Sequence, residues 1–221
     1  MDDITEKQGW HFLAVVVLAG LSFIILQSDE EFGAGRLWGI ETSVWFWLAV
    51  FIAIFHQLFV WAVWRLQLST KWVTKKFPEW GFTAYLVIFF ILIISRLMFL
   101  IFTAISNRGT ITIQDGIKWP LAVLLSVLVI WLFYSVIRYF GLKRAAGADH
   151  FYHEYLKLPL VKEGIFRYSR NAMYMYGFLI FWLIAILAES KAALLLAGFN
   201  HIYIWVHYYC TELPDMKRIY G

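Results

Sequence analysis

Charge is scarce in this chain. Lys, Arg, Asp and Glu make up 15% of its 221 residues, whereas 62% are hydrophobic and 20% aromatic. A soluble domain of this length needs far more charge on its surface, so that class is excluded. Cysteine is nearly absent: Cys210 stands alone, which excludes an internal disulfide. The short alternating segments of a transmembrane β-barrel are missing. There is no internal repeat and no low-complexity tract. Gly-x-Ser-x-Gly, a P-loop and a Cys/His nucleophile pair are all absent. Gly33-Ala34-Gly35 has no strand before it and acids around it, so it reads as a turn. The stretch from Met1 to Gly9 is acidic rather than basic, and no small-residue cleavage site follows the first apolar run. That run is expected to be a retained span rather than a signal peptide.

What the chain has is long apolar runs. About 20 helical residues cross a bilayer, and backbone groups in lipid must bond internally. The expected fold is all-α: a polytopic membrane bundle of about six transmembrane helices. The spans are placed near residues 10–27, 43–66, 84–105, 119–140, 171–188 and 192–210. Residues 1–140 form an N-terminal four-span region. Residues 141–221 form a C-terminal region of interfacial loop plus helical hairpin, integrated with the first into one domain.

The loops separate by charge. Residues 28–42 hold Asp29, Glu30, Glu31 and Glu41 against Arg36, whereas the next loop carries Arg65, Lys71, Lys75 and Lys76. The loop after span four is the richest in cations, among them Arg138, Lys143, Arg144, Lys162, Arg167 and Arg170. The positive-inside rule makes the second and fourth loops cytoplasmic, and six spans put both termini there. The net charge of +4 reflects this loop bias, and no nucleic-acid partner is expected. Residues 141–170 are too rich in Tyr, Phe and Leu for disorder and are expected to form short amphipathic helices at the interface. Spans five and six are joined only by Glu189-Ser190-Lys191, so they form a tight hairpin. The Arg170 end of one then lies beside the Glu212 end of the other.

The stretch from Leu160 to Tyr174 is polar, basic and aromatic within an otherwise apolar chain. Arg167, Arg170 and Asn171, flanked by Tyr168 and Tyr174, open the fifth span. They either anchor lipid headgroups or bind a ligand. A guanidinium can hold a carboxylate bidentately, and Tyr and Asn can orient a purine or ribose. Glu212 closes the sixth span, where a helix dipole disfavours an anion, so a cation should offset it. Such a set suits a zwitterionic nucleoside cofactor. His201 and His207 fall on different helix faces, and His150 with His153, Asp149 and Glu154 has no known zinc spacing, so no metal is expected. One of these histidines could contact a cofactor or accept a proton. His56 with Gln57 reads as an interhelical hydrogen-bonding pair. Arg96 is the one charge deep in a span; it is either functional or snorkels to a carbonyl.

These residues carry a family resemblance. Residues 160–177 resemble the signature of the isoprenylcysteine carboxyl methyltransferase and phospholipid N-methyltransferase superfamily. That pattern runs Leu-Val-x-x-Gly-hydrophobic-aromatic-Arg-Tyr-x-Arg-(His or Asn)-Pro-x-Tyr. Ala172 replaces the usual proline. Glu212-Leu213-Pro214 and Ile219-Tyr220-Gly221 resemble the closing element, with Leu213 where a second acid is usual. The resemblance covers about the last 80 residues. It implies S-adenosylmethionine as methyl donor, a cytoplasm-facing site and a lipid or lipophilic acceptor arriving from the bilayer. Carried over by position, it implies cofactor contacts from Gly164, Arg167, Tyr168, Arg170, Asn171, Tyr174 and Glu212, with His150 added. Arg170, Glu212 and His207 become the candidate catalytic residues. The chain stops at Gly221, where isoprenylcysteine enzymes continue, which favours a phospholipid amine over an isoprenylcysteine carboxylate. A nicotinamide-dependent sterol-type reductase and a non-catalytic transporter are the competing readings.

Overall fold

The structure, a computed structural model, describes residues 2–221 apart from the side chains of residues 2, 3 and 156. Met1, where the expected N-terminal region begins, lies outside the described residues. Among the described residues four helices are long and apolar enough to cross a membrane: α1 (Gln8–Ser28), α2 (Thr42–Thr70), α3 (Gly81–Ser106) and the rod Asp115–Phe140. The rod consists of α4 (Asp115–Ser135) and a π-turn, Val136–Phe140, that stops at Gly141 with φ +88°. After the loop come α5 (Ala172–Gly177), α6 (Leu179–Ala188), α7 (Lys191–His207) and α8 (Leu213–Tyr220). A two-stranded ribbon, β1 (Arg36–Leu37) with β2 (Ile40–Glu41), is the whole of the described sheet.

Two boundaries differ from expectation. The fifth apolar segment is divided at Phe178 into α5 and α6. The sixth does not end at Cys210: α7 passes through a π-turn, Tyr208–Glu212, straight into α8.

The helices are inside-out relative to a soluble bundle. In α1 the buried residues are Gln8, His11, Ser22 and Leu26, while Trp10, Val16, Phe23 and Ile24 face outward. That pattern follows when the solvent is hydrocarbon and internal polar groups must bond one another. The central contact sets Phe46, Ala49 and Ala53 of α2 and Leu100 of α3 against Leu196, Ala197 and Tyr203 of α7. Small side chains at these crossings let the backbones approach closely.

The bundle has two distinct ends. At one, Asn107 ties three segments: its amide nitrogen donates to Glu31 O at 2.8 Å, and its amide oxygen accepts from Ser190 and from the Ala192 amide. Lys191 pairs there with Asp29 and Glu31. The other end holds the basic loops and gathers the start of α1, the ends of α2 and α4, residues 141–171 and α8. That loop carries four short helical turns, Leu142–Ala145, Ala148–His150, His153–Leu156 and Gly164–Arg167.

Candidate active site

The site is built on the junction of α7 and α8. Pro214 has no N–H, so the carbonyl of Cys210, four residues earlier, loses its helical partner. The helix passes this point as the π-turn. Gln8 Nε2 donates to the freed Cys210 carbonyl at 3.1 Å, and Arg65 Nη2 donates to it at 3.3 Å. One proline thus creates a polar docking point for α1 and α2. Turns of this kind recur at functional sites because they re-aim the side chains beyond them.

Beyond the turn, Glu212 and Asp215 lie one helical turn apart, on one face. Asp215 is fully buried and pairs with buried Arg65, Nε to Oδ1 at 2.5 Å. Its other oxygen lies 3.5 Å from His150 Nε2. His150 also lies 3.5 Å from Asp149, and its ring stacks on Trp64 with centroids 4.0 Å apart. Burial pushes the imidazole down, but Asp149 and Asp215 outweigh it and hold it above its usual range. Tyr220 Oη donates to Asp149 at 3.0 Å, which fastens the end of α8 to the loop. Trp64 itself donates to Tyr85 Oη, which donates to the Ala146 carbonyl. Gly147, at φ +85°, lets the loop backbone pass the Trp64 ring; a Cβ there would stand 2.4 Å from it.

The motif segment packs across the end of α4. Ile165 and Phe166 are buried with Leu132, Val136 and Ala172. This apolar anchor leaves Arg167, Tyr168 and Arg170 exposed on the other side. Together they enclose a cavity of about 1140 Å³. Its walls include His150, Arg167, Tyr168, Arg170, Asn171, Tyr174 and Glu212. Two expected residues lie elsewhere. Gly164 does not line the cavity: at φ +59° it presses on α4, where a Cβ would stand 2.4 Å from Ser135 Oγ. It serves close packing, and the next amide donates to that same hydroxyl at 3.1 Å. Gly164→Ala is therefore expected to destabilise the protein by about 1–3 kcal/mol, read by thermal unfolding in detergent. His207 is buried and also lies off this cavity; it lines a second one.

Glu212 is the acceptor the first cavity presents. Its Oε2 is enclosed and has no hydrogen-bond partner. Burial pushes the carboxyl up to about 8; His150 opposes the shift, and Asp149 and Asp215 reinforce it. Arg170 and Arg167 stand on the same wall as exposed cations, and Tyr174, Tyr208 and Trp64 supply aromatic surface. An ammonium-bearing, carboxylate-bearing nucleoside fits these features, because each charge finds its opposite in one chamber. Among the described residues no group of three or more His, Cys, Asp or Glu is placed to hold a metal ion.

The second cavity, about 380 Å³, shares Trp64, Met173 and Tyr174 with the first. It runs into the bundle between α3 and α4, past Phe90, Ile94 and Phe133. Ile94 and Phe133 are exposed, so its mouth faces the bilayer.

Sequence reasoning gave Arg65, Asp215, Trp64, Asp149 and Tyr220 no role in the site. A signal existed for Asp215, three residues after Glu212. The others are joined by contacts distant in sequence, such as Arg65 to Cys210, that no local pattern reveals.

The sequence model of the phospholipid methyltransferase family matches residues 117–221. A phosphatidylethanolamine N-methyltransferase of Malassezia globosa is 29% identical over 152 residues, which is 67% of this chain and 15% of that protein. The chain thus spans about a seventh of the length of this curated relative. No solved structure matches it. The matched residues contain the whole motif segment, the hairpin and Glu212, so the likeness to phospholipid methyltransferases falls on the part of the chain that builds most of the chamber.

Proposed function

We propose that this protein transfers a methyl group from S-adenosylmethionine to the amine of a phospholipid headgroup. One observation carries the reading: a charged, aromatic chamber holding an unpaired buried carboxylate opens into an apolar cavity that faces lipid. S-adenosylmethionine, when bound, supplies a methyl group made electrophilic by its sulfonium. Glu212 holds the cofactor's ammonium and Arg170 its carboxylate, with Arg167 beside it. Tyr168, Asn171 and Tyr174 position the nucleoside, and His150 supports the wall through Trp64. Alignment of donor and acceptor does most of the work in such a displacement. The apolar walls exclude water, which favours a step in which charge disperses. An ammonium acceptor must first lose a proton, and His207 Nδ1, buried without a hydrogen-bond partner, takes it. The chamber opens on the face that carries the basic loops, which six crossings make cytoplasmic, together with both termini.

Radiolabelled S-adenosylmethionine is expected to bind the purified protein saturably, and reduced nicotinamide dinucleotide not to compete. Arg170→Ala should weaken binding at least about tenfold, or 1.4 kcal/mol. Displacement of the label by the nicotinamide would favour a reductase instead.

A further inference from the structure

Arg96 sits in α3 at 3% exposure and lines the second cavity. No carboxylate among the described residues lies within ion-pair distance of it. Its Nε and Nη2 both donate to Asn200 Oδ1, at 3.2 and 2.7 Å, a neutral partner. Its face packs over the Phe178 ring, 5.2 Å from the centroid. Nη1 lies 3.4 Å from His56 Nδ1. A guanidinium can only donate, so His56 Nδ1 accepts and the imidazole proton resides on Nε2. That Nε2 is buried, has no hydrogen-bond partner, and belongs to a second residue lining this cavity. The cavity is mostly apolar; its polar lining is Arg96, His56, Gln57, His207 and Tyr174, and the donor left without a partner, His56 Nε2–H, calls for an oxygen acceptor.

The depth of the cluster limits which acceptor. His56 lies eight residues along α2 from Trp64, and Asn200 seven residues along α7 from His207. At the helical rise this places the donors about 10–12 Å deeper than the level where the two cavities join. A phosphate next to the reacting amine cannot reach so far. In an extended glycerophospholipid, ordinary bond lengths separate the amine from the acyl ester carbonyls by about 10 Å.

We infer that Arg96 and His56 bind the acyl ester carbonyls of a diacyl glycerophospholipid acceptor drawn in between α3 and α4. This rests on the methyltransferase reading above and narrows its substrate class. A prenyl chain, hydrocarbon along its length, leaves the His56 Nε2–H unsatisfied, at the cost that a buried polar group carries. Arg96 precedes the residues matched by the family, so the determinant belongs to the N-terminal part of this chain.

The test compares diacyl and dialkyl-ether phosphatidylethanolamine, which share headgroup and chain length but differ in the carbonyls. Protein in nanodiscs of each lipid is given radiolabelled S-adenosylmethionine. The wild type is expected to favour the diacyl lipid about tenfold in kcat/KM, the worth of one charge-assisted hydrogen bond. Arg96→Met and His56→Phe should bring the ratio near one while binding the cofactor as the wild type does. Should Arg96→Met fail to fold, His56→Phe carries the comparison. Equal rates on both lipids by the wild type overturn the inference, as does a preference that survives in the variants. Normal cofactor binding with neither lipid methylated overturns the phospholipid reading itself, and this inference with it.

Discussion

Replacing Arg65 by Met is expected to destabilise the protein by about 3–5 kcal/mol, because it strands a buried carboxylate. Asp215 and Arg65 both have fully buried side chains and meet at 2.5 Å. Without the guanidinium, the partner left near Asp215 is His150, 3.5 Å away. Asp215→Leu should be comparably severe. The double variant Arg65→Met, Asp215→Leu removes both charges together and should be milder than either single change, since apolar residues of similar volume often replace a buried pair without loss. Thermal unfolding in detergent reads this directly: a chain of this size loses roughly 2–4 °C per kcal/mol, so each single variant should drop by about 10 °C. The double variant also separates stability from chemistry. If it is stable but binds no methyl donor, the pair orients α8 and so Glu212; if it binds normally, the pair serves stability alone.

Glu212→Gln should have opposite effects on binding and stability. The folded carboxyl titrates at about 8 and the unfolded one at 4.5. Between these values the folded state holds the extra proton, so stability falls as pH rises from about 4.5 to 8. Glutamine is neutral throughout, and the variant should be more stable than the wild type near pH 8, on the order of 2 kcal/mol. Cofactor binding should move the other way. An ammonium needs the ionised carboxylate, so wild-type binding releases close to one proton at pH 7, and affinity rises about tenfold per pH unit until it levels above 8. The Gln variant should bind at least about a hundredfold more weakly at pH 8, with no pH slope in that window. Isothermal calorimetry in two buffers of different ionisation enthalpy measures the proton count. A wild type that binds with no proton release, or a Gln variant with unchanged affinity, removes Glu212 from the cofactor site.

Much of the architecture was legible because a bilayer leaves few solutions. The apolar runs became helices near their expected positions, and the tight turn at Glu189-Ser190-Lys191 foretold that Arg170 and Glu212 would share one end. The exceptions have local physical causes. Pro214 removes a donor and turns the expected end of span six into a π-turn that carries the helix on to Tyr220. Gly164 sits inside the motif, yet its role is steric, set by a positive φ against Ser135. His207 shares the Glu212 rod but points into the neighbouring cavity. Spacing along one helix names candidates for a face, but which face meets which neighbour depends on partners far away in sequence. Arg96 was noticed for its cost in lipid; its neutral partner, Asn200, is 104 residues away.

The stitch between Gln8 and the carbonyl of Cys210 spans 202 residues. Closing so long a loop is slow compared with local helix formation. As the protein is made, its opening helix must therefore wait in the bilayer, undocked along that edge, until Cys210 has been added to the chain.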